Sequence, residues 1–212
     1  MLPPLEVADV EICMGSSIGT ACGLSKVLDR PVIAWIGDST FFHSGIPPLV
    51  NALHNKHRFV LAILDNGTTS MTGHQPHPGT PMDGMGGKAP KIQIPKVVQG
   101  LGVEFVEVVN PYHVKETIDV FRRALEHEGI AVVIPRMVCA LLADSYRRSV
   151  GKVVHPYRVD REKCRRCRTC IDRFGCVALT VVDGVISIDE QLCDGCSVCA
   201  QICPHDAIEV IE

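Results

Sequence analysis

The sequence predicts an α/β domain, built on a mainly parallel sheet with helices on both faces, followed by a small cysteine-rich α+β domain. Three observations carry this. Short apolar runs alternate with helical periodicity through the first 150 residues, the composition changes near residue 150, and eight of the 11 cysteines fall in the last 49 of 212 residues. At roughly 100–200 residues per domain, the length allows one or two domains.

The elements follow in order. Ser16 or Ser17 caps a helix reaching about Leu28, and an apolar strand follows over 32–36. Ser44 caps a helix running through Ala52 and Leu53, and a second strand covers 59–64. A third spans 103–109. Asn110-Pro111 then opens a helix in which Val114, Ile118, Phe121 and Leu125 recur at i, i+4, i+7 and i+11. A fourth strand covers 130–134. Strand and helix in alternation give a parallel sheet whose ligands sit at the carboxyl ends of the strands. The segment 65–95, rich in Gly, Pro, Thr and His, is too long for an ordinary connection and reads as a functional loop. Residues 149–157 read as a linker. The domains are therefore expected at 1–150 and 151–212, the second near the size at which a core alone stops sufficing without metal.

Several classes are excluded. A formal net charge of −3 argues against a nucleic-acid binder. The longest apolar run is about six residues where about 18 are needed to span a bilayer. The start lacks a basic n-region and an apolar h-region, so a cytoplasmic location without a secretory signal is expected.

In such a compartment, clustered cysteines read as metal ligands rather than disulfides. Cys164-x2-Cys167-x2-Cys170-x5-Cys176 is followed by Cys193-x2-Cys196-x2-Cys199-x3-Cys203-Pro204, an internal repeat offset by 29 residues. Zinc takes two C-x2-C pairs across a longer spacer. Three cysteines at x2 spacing with a distant fourth before proline match two 4Fe–4S clusters, in which the fourth cysteine of each run serves the other cluster. Cys164, Cys167, Cys170 and Cys203 are thus assigned to one cluster, and Cys193, Cys196, Cys199 and Cys176 to the other. The first run departs from the pattern, with five residues before Cys176 and Val177 where proline is usual. Between the runs, Asp183-Gly184 marks a type I′ hairpin. Cys13, Cys22 and Cys139 lack ligand spacing and are expected to be ordinary buried thiols. Charge is polarised: 158–173 carries seven basic residues against three acids, and 183–212 seven acids and no Lys or Arg. That reads either as a solvated face or as a basic side that docks an acidic electron carrier.

Gly37-Asp38-Ser39 closes one strand and Asp65-Asn66-Gly67-Thr68 the next, with 25 residues between Ser39 and Asp65. This sets Asp38 and Asn66 side by side at the carboxyl end of the sheet. There two hard oxygen ligands suit Mg²⁺ shared with a diphosphate, although each residue also fits a turn or a helix cap. Glycines at 37 and 67 let the backbone approach closely.

Gly37-Asp38-Ser39 to Asp65-Asn66 resembles the thiamine-diphosphate motif, which runs from Gly-Asp-Gly to Asn-Asn over a similar interval. The stretches 37–45 and 64–79 resemble the α subunits of indolepyruvate:ferredoxin oxidoreductases, which also end in a two-cluster ferredoxin domain. The resemblance implies a thiamine-diphosphate-binding fold. In it Asp38, Asn66 and the Thr68 carbonyl ligate Mg²⁺, the segment from Cys13 through Met14, Gly15 and Ser16 to Ser17 walls the cofactor, and Thr72 to Gln75 lie near the mouth. It also implies oxidative decarboxylation of a 2-oxoacid, an arylpyruvate such as indolepyruvate, to an acyl-coenzyme A, with electrons passed through both clusters to an external ferredoxin. Ser39 and Asp65 stand where the superfamily has Gly and Asn. Only the C-terminal third of the family's subunit is matched. The sequence therefore reads as a fragment, a mis-called start or one piece of a split enzyme, and another chain is expected to supply the pyrimidine-binding domain, with its activating glutamate, and a β-type subunit. The alternative is an electron-transfer subunit or fragment whose α/β domain is only a docking module. No G-x-G-x-x-G follows a strand, which disfavours a nicotinamide or flavin reductase.

His43, His54, His57, His74 and His77 crowd one stretch without metal-ligand spacing. His54 and His57 are expected at a helix end. His43 and His74, beside the inferred cofactor, are the candidates for proton transfer or substrate contact. Met71, Met82 and Met85 are expected to pack within the loop rather than line an apolar pocket.

Overall fold

The computed structural model describes residues 5–211. The chain divides into two compact units, one of Glu11–Cys139 and one of Ala140–Glu212 with the described part of Met1–Val10.

The first unit runs α1 (Ser17–Val27), β1 (Ile33–Gly37), α2 (Asp38–Thr40), a π-helical turn (Phe41–Gly45), α3 (Ile46–His54), β2 (Phe59–Leu64), α4 (Ile94–Gly100), β3 (Phe105–Val109), α5 (Val114–Glu126) and β4 (Ile130–Pro135). The four strands are all parallel, in the order β1-β2-β4-β3. The central pair, β2 and β4, is covered on both faces and is accordingly a near-continuous apolar run. Alternate side chains point to opposite faces. Ile36, Leu61, Ile63, Val132 and Ile134 join α1, α3 and α4 in the larger core. Val60, Ala131, Val133 and Val109 pack with Val120 and Ala124 of α5 in the smaller one.

Three helix starts differ from expectation: Ser16 precedes α1 but makes no capping bond, its hydroxyl donating back to the Cys13 carbonyl (2.7 Å). Ser44 is no cap: its hydroxyl donates to the carbonyl of Thr40 (3.0 Å) inside the π-helical turn, and Gly45 precedes α3. Asn110 is spent on a turn, its side chain accepting Tyr112 N–H (3.0 Å) and its carbonyl accepting His113 N–H (2.9 Å), so α5 begins at Val114.

The second unit contains α6 (Ala140–Ser149), β5 (Tyr157–Val159), α7 (Thr169–Asp172), β6 (Leu179–Val182), β7 (Val185–Ile188), α8 (Val198–Gln201) and β8 (Ile208–Val210). The expected boundary at 150 falls at the end of α6, and the division into compact units falls at its start. β6 and β7 form the hairpin, with Asp183 and Gly184 at positive φ (51° and 73°) as a type I′ turn requires. β5 pairs antiparallel with β8. The sequence repeat extends to the backbone. Moving α7 by 29 residues gives α8, and the positive φ of Arg166 and Arg168 recurs at Gly195 and Ser197. Among the described residues no helix is long and apolar enough to cross a membrane.

Candidate functional site

Parallel pairing of β1 with β2, Gly37 opposite Leu64, brings the residues after both strands to one edge of the sheet. Asp38, only 2% exposed, opens the helix that follows β1. One carboxylate oxygen accepts Ser39 N–H (2.7 Å) and the other accepts Gly67 N–H (2.8 Å). Burial pushes its carboxyl above the usual range, and Asp65 nearby adds to the rise. The two backbone donors and His77 act in the opposite direction. Asn66 is the next residue but one after β2. Its Oδ1 accepts Thr68 N–H (3.1 Å), its amide donates to Ser70 Oγ (3.0 Å), and Thr69 Oγ1 donates to Ser39 Oγ (3.0 Å). Thr68 is buried. Asp65 turns instead to Arg136, whose Nε lies 2.7 Å from its carboxylate.

Above the Cα atoms of Gly37 and Gly67 there is open space where a side chain would stand, and Gly67 has φ +74°. A buried carboxylate, a neighbouring amide oxygen and two bare backbone edges suit a hard cation and a diphosphate. Asp38, Asn66 and the loop to Thr68 are the residues that would hold Mg²⁺, with Gly37 and Ser39 along the diphosphate.

The 13–16 turn lies against the same helix: a Cβ on Gly15 would meet Ser44 Oγ at 2.3 Å. Ser16 Oγ donates to the Cys13 carbonyl (2.7 Å), while Met14 is 64% exposed. Cys13 is also exposed and Cys139 half-buried, so only Cys22 is the buried thiol expected of all three. His43 is exposed on the π-helical turn. His74, half-buried with φ +65°, has Nε2 3.5 Å from Cys139 Sγ, and the Cys139 N–H is bonded to the Asn66 carbonyl (3.1 Å). The methionines do not pack as expected: Met71 and Met85 are almost wholly exposed.

Nothing in the spacing of the five histidines singles out His77, yet its side chain is buried with Nε2 3.2 Å from Asp38 Oδ2. Nδ1 accepts Gly79 N–H (3.1 Å), which leaves the neutral ring's proton on Nε2, facing the carboxylate. As placed, Nε2 has the distance of a hydrogen bond to Asp38 but not its angle. Phe42 stacks beside the ring at 5.7 Å, and Thr80 pins the backbone through His77 O (2.8 Å). A Cβ on Gly79 would stand 2.8 Å from the His77 ring and 2.9 Å from Phe42. The one available signal was the Pro76-His77-Pro78-Gly79 context, which fixes the loop but does not say which histidine turns inward.

In the second unit, Cys164, Cys167, Cys170 and Cys203 line one recess, walled by Val159, Ile186, Ala207 and Ile208. Burial, and then the thiols of Cys203, Cys167 and Cys164, push Cys170 up, opposed by a backbone hydrogen bond. Burial followed by Cys196, Cys176 and Cys193 pushes Cys199 up to about 12. The fourth cysteine of each run thus stands with the other run's three. Among the described residues no three His, Cys, Asp or Glu side chains converge on a point as a single ion needs. Four thiols around an apolar-walled recess instead suit a cluster with several cations. Backbone N–H groups of Tyr157 and Ala207 point at Cys193 and Cys203 sulfur (both 3.4 Å).

Comparison with known proteins agrees with both halves. The chain is 55% identical over 206 residues to indolepyruvate oxidoreductase subunit IorA of Archaeoglobus fulgidus, covering 97% of this chain and 33% of that protein. It is 41% identical to the Pyrococcus abyssi subunit of the same name, covering 100% and 35%. The chain thus spans about a third of the length of these curated relatives. In fold it resembles a 2-oxoglutarate:ferredoxin oxidoreductase from Magnetococcus marinus, with TM-score 0.54 and 22% identity over 59% of this chain and 45% of that one. The model of the 4Fe-4S binding domain matches residues 186–209. The thiamine pyrophosphate enzyme C-terminal TPP binding domain matches residues 4–134, well over half the chain, and to that family this protein belongs.

Proposed function

We propose that this chain is the thiamine-diphosphate- and cluster-bearing part of a 2-oxoacid:ferredoxin oxidoreductase that acts on an arylpyruvate, indolepyruvate first. The observation that carries the reading is the union, on one chain, of the Asp38–Asn66 strand-end pair and two complete cysteine quartets. Thiamine diphosphate, when bound, supplies the electron sink for decarboxylation, and iron–sulfur clusters accept the electrons singly.

The chain's residues have separable tasks. Asp38, Asn66 and the Thr68 carbonyl hold Mg²⁺. Gly37, Ser39 and the Met14-Gly15-Ser16 turn bound the cofactor. His43 and His74 are the proton-transfer candidates; His74 is held in a strained left-handed conformation beside Cys139, a place where strain accompanies function. The eight cysteines hold two clusters in crossed quartets. Coenzyme A takes the acyl group, an external ferredoxin takes the electrons, and the pyrimidine-binding domain and a β-type subunit lie outside these 212 residues. A cytoplasmic setting is supported by eight cysteines at iron–sulfur ligand spacing, a use of thiols that suits a reducing compartment.

The test is anaerobic absorbance in the iron–sulfur band while indolepyruvate, thiamine diphosphate, Mg²⁺ and coenzyme A are added, with and without the partner chains. Bleaching that needs the 2-oxoacid and disappears in Asp38→Ala is the expected result. Bleaching by chemical reductant alone, with every partner chain present, would make the chain an electron-transfer subunit.

A further inference from the structure

The two copies of the cysteine repeat share a backbone but differ in what an incoming protein would meet. Cys167 is exposed, whereas Cys196, its counterpart 29 residues on, is half-buried. The second loop is covered from within its own unit. Arg147 Nη1 donates to the Asp194 carbonyl (3.2 Å), and a Cβ on Gly195 would lie 2.9 Å from the His155 carbonyl. Nothing comparable covers the first loop among the described residues.

The charges are reversed at matching places. Arg161 and Arg165 correspond to Glu190 and Asp194, and Arg166 to Gly195. Arg161, Arg165 and Arg166 are exposed, and among the described residues none of them forms an ion pair. Arg168 is held by Asp172 (3.0 Å). Arg166 also sits at φ +53°, a conformation that disfavours any side chain and that the second copy meets with glycine. An arginine kept where glycine fits better is strain retained at a working position.

We propose that the quartet Cys164, Cys167, Cys170 and Cys203 is the electron exit, and that Arg161, Arg165 and Arg166 form the rim that docks an acidic, one-electron carrier protein. This rests on the reading that both quartets hold clusters. Each transfer moves one electron, oxidising the exit cluster and reducing the carrier, with no bond made or broken and no proton required. An unscreened basic rim steers an acidic partner, and the reach of that steering shrinks with the Debye length as salt rises.

The experiment uses the full chain with its clusters loaded, photoreduced and mixed in stopped flow with an acidic two-cluster ferredoxin. Arg165→Glu with Arg166→Glu is expected to slow transfer about tenfold at low salt, the difference closing at high salt. A charge reversal of the same size ahead of the second run, Asp189→Lys with Glu190→Lys, is expected to leave the rate within about twofold. Arg166→Gly separates function from packing, because relief of strain makes it more stable while lost charge makes it slower. Cys203→Ser is expected to abolish fast delivery while the other cluster's reduced paramagnetic signal persists. Equal slowing by the Asp189/Glu190 pair, an unchanged rate in the arginine pair, or fast delivery by Cys203→Ser would each overturn the proposal. If Cys203→Ser fails to fold, the two charge pairs decide alone. A wild-type chain that holds fewer than two clusters, by iron content and paramagnetic signal, would overturn the reading beneath and this assignment with it.

Discussion

Gly67 donates its backbone N–H to Oδ2 of Asp38 over 2.8 Å, joining the loop after β2 to the helix that follows β1. The contact ties the proposed metal loop to that helix. In Asp38→Ala the N–H groups of Ser39 and Gly67 both lose their acceptor, at about 1–3 kcal/mol for each donor left unsatisfied. We expect a lower melting temperature in the cofactor-free chain and no Mg²⁺-dependent binding of thiamine diphosphate by calorimetry.

His77 offers a sharper test of the same loop. His77→Phe keeps a ring against Phe42 and removes the Nε2–H that faces Asp38; His77→Gln keeps an N–H donor and removes the ring. If the donor orients the carboxylate, half-saturating Mg²⁺ rises about tenfold or more in the Phe variant and stays near wild type in the Gln variant. Equal shifts in both, read in the same binding titration, would reduce His77 to packing.

The crossed quartets predict which cluster each cysteine controls. Cys203→Ser and Cys176→Ser should each lose about half the iron and sulfide, but from different clusters. Arg165 lines the Cys164–Cys203 recess, so the paramagnetic signal removed by Cys203→Ser, and not the other, should respond to Arg165→Glu.

A pH dependence follows from Asp160, which accepts the N–H groups of Glu162 (2.9 Å) and Lys163 (3.3 Å) and pairs with Lys163 Nζ (3.3 Å). The backbone donors, then Lys163, hold its carboxyl below the ordinary 3.8. A depressed acid stabilises the fold above its ordinary value, and that contribution is lost as pH falls through the depressed one. Asp160→Asn should therefore melt earlier than wild type at neutral pH, with the gap closing below 3.8 in a melting series on the chain.

Much of this was legible in the sequence because the signals were local. The four strands of the sheet, the Asp183-Gly184 hairpin and the x2 cysteine spacing all depend on near neighbours in the chain. Ser44 and Asn110 were misread because each hydroxyl or amide had a competing local partner, the Thr40 carbonyl in one case and its own turn in the other. The inward turn of His77 and the meeting of His74 with Cys139 depend on contacts across 39 and 65 positions, and no periodicity records those. β5 and β8 were missed for the same reason: three residues each, they become strands only by finding each other.

The core of the second unit is built from its own ligands, since Cys170 and Cys199 are packed with Ile186 and Ile208 at its centre. On the proposed crossed assignment neither half of the repeat completes a cluster alone, because each fourth thiol comes from the other half. Iron supply would then be a structural variable for this protein. A starved cell would then be left with a core of buried, protonated thiols lacking the mass that fills it, exposed to proteolysis, and losing one proposed cluster would weaken the shell of the second.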